Sequence, residues 1–178
     1  MKSSIALKWN KVRGAKKYVV YGNQCGTKNP YKVLARQTMT KLTAKTLADG
    51  AALSKGRYHK FFVAAFDKNG KLLAVSKSLH VTTTGGKYTN FKSVKFKNVK
   101  RGKKTLKKGR KFKLRTKSVK VSKKGKVQVH RKAAFESSNK KVAAVSKSGV
   151  VKAKKKGTCT IYAYLQSGNY AKVKVKVK

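Results

Sequence analysis

Few side chains in this sequence could do acid–base chemistry. The acidic residues are Asp49, Asp67 and Glu136 alone, and they are far apart along the chain. Hydrolysis by paired carboxylates needs two acids within several ångströms of each other. Asp67 stands before Asn69-Gly70, where a hairpin turn is expected. These three positions therefore argue against carboxylate catalysis, and also against a calcium site, which needs several anionic oxygens.

The histidines and cysteines form no recognisable site either. His59, His80 and His130 show no H-x-x-x-H spacing, and Cys25 and Cys159 belong to no C-x-x-C pair. Zinc needs three or four such ligands, and a cysteine nucleophile needs a histidine beside it. We expect no metal, no cofactor and no small-molecule substrate, and we expect that the protein is not an enzyme. Both cysteines are expected to be single thiols, with an interdomain disulfide as the alternative.

Basic residues dominate the composition. The chain has 49 Lys and Arg against 3 Asp and Glu, a net charge of +46 in 178 residues, and only 7 of the basic residues are Arg. Lysine is a flexible, hydrated point charge, whereas arginine carries the planar fork that reads anions with fixed geometry. This balance favours bulk attraction to a polyanion over shaped recognition.

The charge is concentrated in the second half. Residues 85–178 hold 32 basic residues and one acid. A charge run is usually a solvated face, and lysines on strand edges also discourage aggregation, so solubility could explain part of the pattern. The predicted polyanion-binding residues are Lys103, Lys104, Lys107, Lys108, Arg110, Lys111, Lys113, Lys123, Lys124, Lys126, Arg131, Lys132, Lys154, Lys155, Lys156, Lys172, Lys174 and Lys176.

The elements that position these lysines are predicted to be strands. Apolar and basic residues alternate over 172–178, 111–115 and 126–130, and period two places the apolar residues on one face. Turn pairs such as Lys108-Gly109 and Ser148-Gly149 separate short strands at the spacing of β-sandwiches. The tyrosines and phenylalanines are expected mostly at core-facing positions. The predicted fold class is all-β, with two immunoglobulin-like β-sandwich domains in tandem.

A break is expected where small residues follow a strand at 82–87. This predicts domains at 1–84 and 92–178, with a linker at 85–91 that includes Gly85-Gly86. The Ala- and Leu-rich stretch 44–53 is expected to be a loop or a short helical turn. Residues 1–10 lack the apolar core of a signal peptide, and no apolar run is long enough to span a bilayer.

The first domain carries the residues of a known family. Trp9 lies within 5–10, an aromatic and β-branched run occupies 18–21, and Tyr58 ends the stretch 53–58 ahead of the apolar run 61–65. With these, residues 4–83 resemble a fibronectin type III domain. The resemblance implies that Trp9 is the core tryptophan and that 53–58 form a tyrosine corner. The family's first strand is missing or shortened.

The second domain resembles another family more specifically. An aromatic residue and Ser-Ser-Asn begin the stretch 135–145, Gly-Val follows in 148–153, and Gly-Thr opens 157–163. Residues 92–178 therefore resemble a group 2 bacterial immunoglobulin-like domain. The resemblance implies an exported protein, secreted or on a bacterial surface, with a spacing, adhesion or carbohydrate-proximal role and no catalysis.

These observations together predict a non-enzymatic, monomeric binding module at a surface. Its partners would be anionic polymers: teichoic acid, acidic or sulfated cell-wall and host glycans, lipopolysaccharide, nucleic acid or anionic membrane surfaces. One alternative is nucleic-acid binding as the actual role, although no sequence-reading motif occurs. Another is a naturally or deliberately supercharged scaffold, with carrier or cell-penetrating behaviour.

Overall fold

The computed structural model describes residues 3–178, and the regular elements in this range are all strands. No helix among these residues is long and apolar enough to cross a membrane. The strands are β1 (Ile5–Lys8), β2 (Lys17–Gln24), β3 (Lys32–Gln37), β4 (Lys41–Ala44), β5 (Tyr58–Phe66), β6 (Leu72–Val75), β7 (Leu79–Thr82), β8 (Phe91–Phe96), β9 (Lys103–Leu106), β10 (Lys111–Lys113), β11 (Thr116–Lys120), β12 (Ala134–Ser137), β13 (Ala143–Val145), β14 (Val150–Ala153), β15 (Gly157–Tyr164) and β16 (Tyr170–Val177).

The chain folds as two compact units. Unit 1 comprises the residues up to Asn90 together with Ser122–Gln128, and unit 2 comprises Phe91–Val121 and Val129–Lys178. The segment Ser122–Gln128 therefore groups with unit 1, although the sequence places it in the second predicted domain. The predicted fold class, all-β with two domains in tandem, is confirmed.

Unit 1 contains a two-stranded and a five-stranded sheet. Strands β1 and β4 pair antiparallel, with Leu7 opposite Leu42. The larger sheet has the order β3-β2-β5, and both β6 and β7 pair with the remaining edge of β5. Ile5, Leu7, Val20 and Phe61 are buried together in the core between apolar strand faces. Alternation along β1 sends one face inward and leaves the other to solvent.

The predicted turn after β5 is confirmed. Asp67 accepts hydrogen bonds through its Oδ1 from the amides of Asn69 (2.9 Å) and Lys71 (2.9 Å). Gly70 has a φ of 79°, a conformation that costs glycine little. The stretch 44–53 is the expected loop rather than a helical turn: Thr46 and Ala52 form an isolated bridge around Gly50.

The two glycines predicted to form a flexible linker are packed. A Cβ added to Gly86 would lie 2.4 Å from the Cα of Gly56, so the two backbones are in contact. Thr89 lies close by in the same unit, where its amide donates to the carbonyl of Lys126 (3.0 Å) and its Oγ1 accepts from the amide of Ser122 (3.1 Å). These contacts explain why the segment containing Ser122 and Lys126 groups with unit 1.

Unit 2 contains three sheets. The largest has the order β12-β15-β16-β9, in which only the β16–β9 pairing is parallel. Strands β10, β14 and β13 form a three-stranded sheet, and β11 pairs with β8. Ile161, Val173, Val175 and Val151 are almost fully buried between these sheets. Burial in β16 alternates along its whole length, as the sequence predicts.

Two expectations about strands are wrong. Val127 and Val129 do not belong to a strand, and Val129 is 61% exposed, because the segment before it bridges to unit 1 instead of entering a sheet. The lysines of β16 do not guard a sheet edge, since β16 is paired on both sides, with β15 and β9. Protection from edge aggregation therefore does not account for them.

Candidate polyanion-binding surfaces

A tight turn after β9 brings one group of predicted residues beside another. Gly109 has a φ of 83° and closes the turn between β9 and β10. Its amide donates to the carbonyl of Ala153 (2.9 Å), and the amide of Ala153 donates to the carbonyl of Arg110 (3.0 Å). Because Lys154 follows Ala153 directly, the basic turns 107–110 and 154–156 lie side by side.

Two further backbone contacts extend this region. The amide of Lys108 donates to the carbonyl of Lys178 (3.1 Å), which places the residue following β16 beside the same turn. The amides of Lys154 and Lys155 both donate to the carbonyl of Val142 (2.9 and 3.2 Å). Val142 follows a turn that Asn139 closes, since its Oδ1 accepts from the amide of Lys141 (3.0 Å).

We call the resulting cluster the basic end of unit 2. All of its side chains are solvent-exposed, and the turns that form it contain no acidic residue. Its members are Lys107, Lys108, Arg110, Lys140, Lys141, Lys154, Lys155, Lys156 and Lys178. Six of these are among the predicted site residues. Lys140, Lys141 and Lys178 were missed, because only strand pairing brings their segments to this end.

A cleft adjoins the basic end. It has a volume of about 550 Å³, and four predicted site residues line it, namely Lys104, Lys107, Arg110 and Lys111. Its remaining lining includes Phe112, whose ring centroid lies 4.2 Å from the Nζ of Lys104. An ammonium over an aromatic face is held by the ring quadrupole. Three of the cleft's basic residues stay exposed, whereas Lys104 is half-buried.

Four other predicted residues lie on the outer face of the four-stranded sheet. Lys172, Lys174 and Lys176 alternate with buried valines along β16 and are exposed. Lys103 is opposite Lys174 in the parallel β16–β9 register, so it belongs to the same face. On the neighbouring three-stranded sheet, Lys113 is exposed and its Nζ donates to the carbonyl of Ser148.

The remaining predicted residues are not brought to the basic end. Lys123, Lys124 and Lys126 belong to the segment that groups with unit 1. Arg131 and Lys132 precede β12, beside the far end of β15. The Nη2 of Arg131 donates to the carbonyl of Leu165 (3.2 Å), and the guanidinium is half-buried, so desolvation lowers its pKa. One nitrogen of its guanidinium is therefore held by the backbone of unit 2.

Three tyrosines on the four-stranded sheet lie outside the core. Tyr162 and Tyr164 on β15 and Tyr170 on β16 alternate with buried alanines, and Tyr170 is 55% exposed. Their ring centroids are 5.5–5.9 Å apart, so they form one cluster. The alternation of Tyr162 and Tyr164 with Ala163 could have indicated their outward position, because small residues can occupy the buried face.

Unit 1 places a histidine beside Cys25, as a cysteine nucleophile would require. The Sγ of Cys25 lies 3.4 Å from the Nδ1 of His80, and the Nε2 of His80 lies 3.3 Å from the Oγ of Ser78. Burial nevertheless raises the pKa of the Cys25 thiol to about 11, against a smaller lowering effect of Lys60. The thiolate is the nucleophilic form, so this pair is poorly suited to nucleophilic catalysis at neutral pH. Cys25 and Cys159 are both free thiols.

Comparison with known proteins gives one family match, and most of it lies in the second unit. Residues 93–176 match the family model of the bacterial Ig-like domain (group 2). No curated protein sequence is significantly similar to the chain.

Several solved structures are similar to the chain at low identity. A C-terminal fragment of intimin, solved with the intimin-binding domain of its translocated receptor, is 15% identical, with a TM-score of 0.37 over 97% of this chain and 56% of that fragment. Domains 4 and 5 of the S-layer protein SbsC are 17% identical, with a TM-score of 0.41 over 94% and 72%. Fibronectin(III)-like modules of Clostridium thermocellum CbhA are 14% identical, with a TM-score of 0.33 over 99% and 86%. This chain thus spans little more than half of the intimin fragment.

Proposed function

We propose that the protein is a non-enzymatic surface module that binds anionic polymers, and that the basic end of unit 2 is its principal contact. The observation that carries this proposal is the convergence of four separate chain segments, each contributing lysine or arginine, without a compensating acid in any of their turns. A polyanion would neutralise all of these charges at once.

The energetics of the basic end support a bound polyanion. Like charges brought within a Debye length of about 8 Å repel each other at physiological salt. Folding brings the charges of Lys107, Lys108 and Lys154–Lys156 together through backbone hydrogen bonds. A ligand that binds the folded state alone stabilises it by mass action. Binding at this end would therefore offset a repulsion that the fold itself creates.

The second part of the proposal concerns the fold of unit 1 and the cellular location of the protein. We propose that unit 1 is a fibronectin type III-like sandwich and that the tandem is part of a secreted or bacterial cell-surface protein. Trp9 packs against the buried cluster and meets Tyr18 edge to face, with centroids 5.7 Å apart. Tyr58 is buried at the start of β5, but its hydroxyl donates to the carbonyl of Thr89 (2.7 Å), downstream rather than upstream as in a tyrosine corner.

Salt-dependent binding tests the polyanion proposal. Affinity for heparin, lipoteichoic acid and duplex DNA would be measured as a function of NaCl concentration. Binding by charge neutralisation falls steeply as salt rises, because it releases condensed counterions. We expect the affinity for at least one of these polymers to fall by orders of magnitude between about 50 and 200 mM salt.

A matched pair of variants locates the contact. One variant changes five lysines of the basic end to glutamine, and the other changes five exposed lysines of unit 1, so the two have equal net charge. The basic-end variant carries K107Q, K108Q, K154Q, K155Q and K156Q, and the control carries K11Q, K16Q, K28Q, K45Q and K68Q. In a plot of log affinity against log salt concentration, we expect the line for the first variant to be less steep, by roughly one unit of slope for each lysine that contacts the polymer. Equal losses in both variants would contradict the assignment to the basic end, and no binding to any polymer would refute the function.

A further inference from the structure

The outer face of the four-stranded sheet in unit 2 combines aromatic and basic side chains in separate zones. The register places Tyr162 opposite Lys172, Thr160 opposite Lys174, and Tyr164 opposite Tyr170. One end of the face is therefore aromatic and the other end basic. Tyr170 and Lys176 are six positions apart along β16, a length of roughly 20 Å at the rise of a strand. An extended polymer lying along β16 would meet both zones.

The tyrosine cluster forms a platform. Tyr162 and Tyr164 have nearly parallel rings, with centroids 5.7 Å apart and an interplanar angle of 19°. Tyr170 stands against both rings, at 5.9 and 5.5 Å. Aromatic faces carry partial negative charge and attract the polarised C–H bonds of a sugar ring. An exposed platform of this kind suits the flat face of a neutral sugar.

The single acid of unit 2 lies on the same face. Glu136 on β12 is exposed and is directly opposite Tyr162 in the β12–β15 register. Burial raises the pKa of the Tyr164 phenol, and the charge of Glu136 adds to this effect. A carboxylate accepts hydrogen bonds from sugar hydroxyls, but it repels phosphate. A ligand charged at every unit, such as single-stranded nucleic acid, fits this end of the face poorly.

We propose that this face binds an acidic polysaccharide in which charged and neutral sugars alternate. A neutral sugar stacks on Tyr170 and its neighbours and donates hydroxyl hydrogen bonds to Glu136. The carboxylates or sulfates of adjoining sugars pair with Lys172 and Lys174, whose side chains are about 7 Å apart along the strand. The inference rests on the proposed function and narrows it, because it adds a stacking contact to general charge attraction.

The test compares the affinities of three polymers for the protein and for variants of the tyrosine cluster. The probes are a hyaluronan oligosaccharide, in which uronic acid and neutral sugar alternate; oligogalacturonate, in which every sugar is charged; and oligo-dT. We expect Tyr170→Ala to weaken hyaluronan binding by about tenfold, the size of one stacking contact on an aromatic side chain. The same change is expected to alter oligogalacturonate binding by less than about twofold. Tyr170→Phe keeps the ring and is expected to bind hyaluronan like the unchanged protein.

Glu136→Gln provides an independent readout. The amide still accepts a hydroxyl hydrogen bond, so we expect hyaluronan binding to stay within about twofold, while oligo-dT binding strengthens because a repulsive charge is lost. Thermal unfolding of each variant shows that the fold is kept. A larger effect of Tyr170→Ala on oligo-dT than on hyaluronan would overturn the proposal in favour of base stacking. If the basic-end variant loses hyaluronan binding and Tyr170→Ala does not, the proposed function stands and this inference is refuted.

Discussion

The amide of Gly109 donates a hydrogen bond to the carbonyl of Ala153 at 2.9 Å. This bond joins the turn after β9 to the turn after β14, two segments more than 40 residues apart in the sequence. Each turn carries at least three basic residues, and neither carries an acid. Together with the hydrogen bond from the amide of Ala153 to the carbonyl of Arg110, this bond brings two local lysine runs into one charged surface, and Gly109 lies at this junction.

Substituting the turn glycines should separate backbone strain from steric clash. Gly109 has a φ of 83° and nothing within 4 Å of an added Cβ, so Gly109→Ala should cost only the left-handed strain of about 1–2 kcal/mol. Gly149 has a φ of 82°, but its Cβ would lie 2.8 Å from the Phe135 ring. Gly149→Ala should therefore lose about 1–3 kcal/mol more through overpacking. Urea unfolding of both variants measures the difference, and equal losses would show that Phe135 moves aside freely.

Salt should stabilise the folded protein. Two lysine charges about 7 Å apart, such as Lys172 and Lys174 on one face of β16, repel each other by about 0.6 kcal/mol in water before screening. Many such pairs exist at a net charge of +46. The free energy of unfolding in urea, which is uncharged, should rise by on the order of 1 kcal/mol or more as NaCl increases. The five-lysine basic-end variant should show a weaker dependence on salt, and a fall in stability with salt would contradict the explanation.

Cys25 should resist alkylation in the native state. Burial raises the pKa of its thiol to about 11, so the reactive thiolate is scarce near neutral pH. Compared with the urea-unfolded chain, iodoacetamide labelling at pH 8 should be slower by on the order of a hundredfold. Labelled sites identified by mass spectrometry distinguish Cys25 from Cys159, which is itself buried. Rapid native labelling of Cys25 would mean that His80 holds the thiolate as an ion pair.

Stability should fall at mildly acidic pH because of His59. The side chain is fully buried, and desolvation lowers the pKa of the imidazole, against a smaller raising effect of the Arg57 backbone. With the folded-state pKa below the unfolded value of about 6.5, protonation favours the unfolded chain. The stabilisation is complete above about pH 6.5 and is lost as the pH falls toward the folded pKa.

Urea unfolding between about pH 5 and 8 checks this dependence. His59→Phe should remove most of it, whereas His130→Gln should remove less, because His130 is exposed and solvent screens its charge. The sequence has only three carboxyl side chains, so few acidic groups add to the pH dependence of stability. An unchanged pH profile in His59→Phe would assign the effect to other groups.

Much of the local structure follows from the sequence. The alternation of Val173, Val175 and Val177 with lysines predicts β16 and its buried face, because period two in a strand leaves no other arrangement. The turn at Asp67 follows from side-chain chemistry within four residues. These features depend only on near neighbours in the chain. The second immunoglobulin-like unit was also recognisable from its motif, which the family comparison confirms over residues 93–176.

Predictions that needed long-range information were less successful. The alternation around Val127 and Val129 resembles a strand, yet backbone contacts with Lys87 and Thr89 draw the preceding segment to unit 1. The outward tyrosines of β15 and β16 are exceptions to the expectation that most aromatic residues face the core. The sequence does not indicate that they form one cluster, because the pairing of the two strands brings them together. Sequence by itself determined that this protein is a β-sandwich tandem coated in lysine, because alternation and charge are local properties. Only the tertiary structure decided which lysines share a surface, because hydrogen bonds such as that between Gly109 and Ala153 join segments that are remote in the chain.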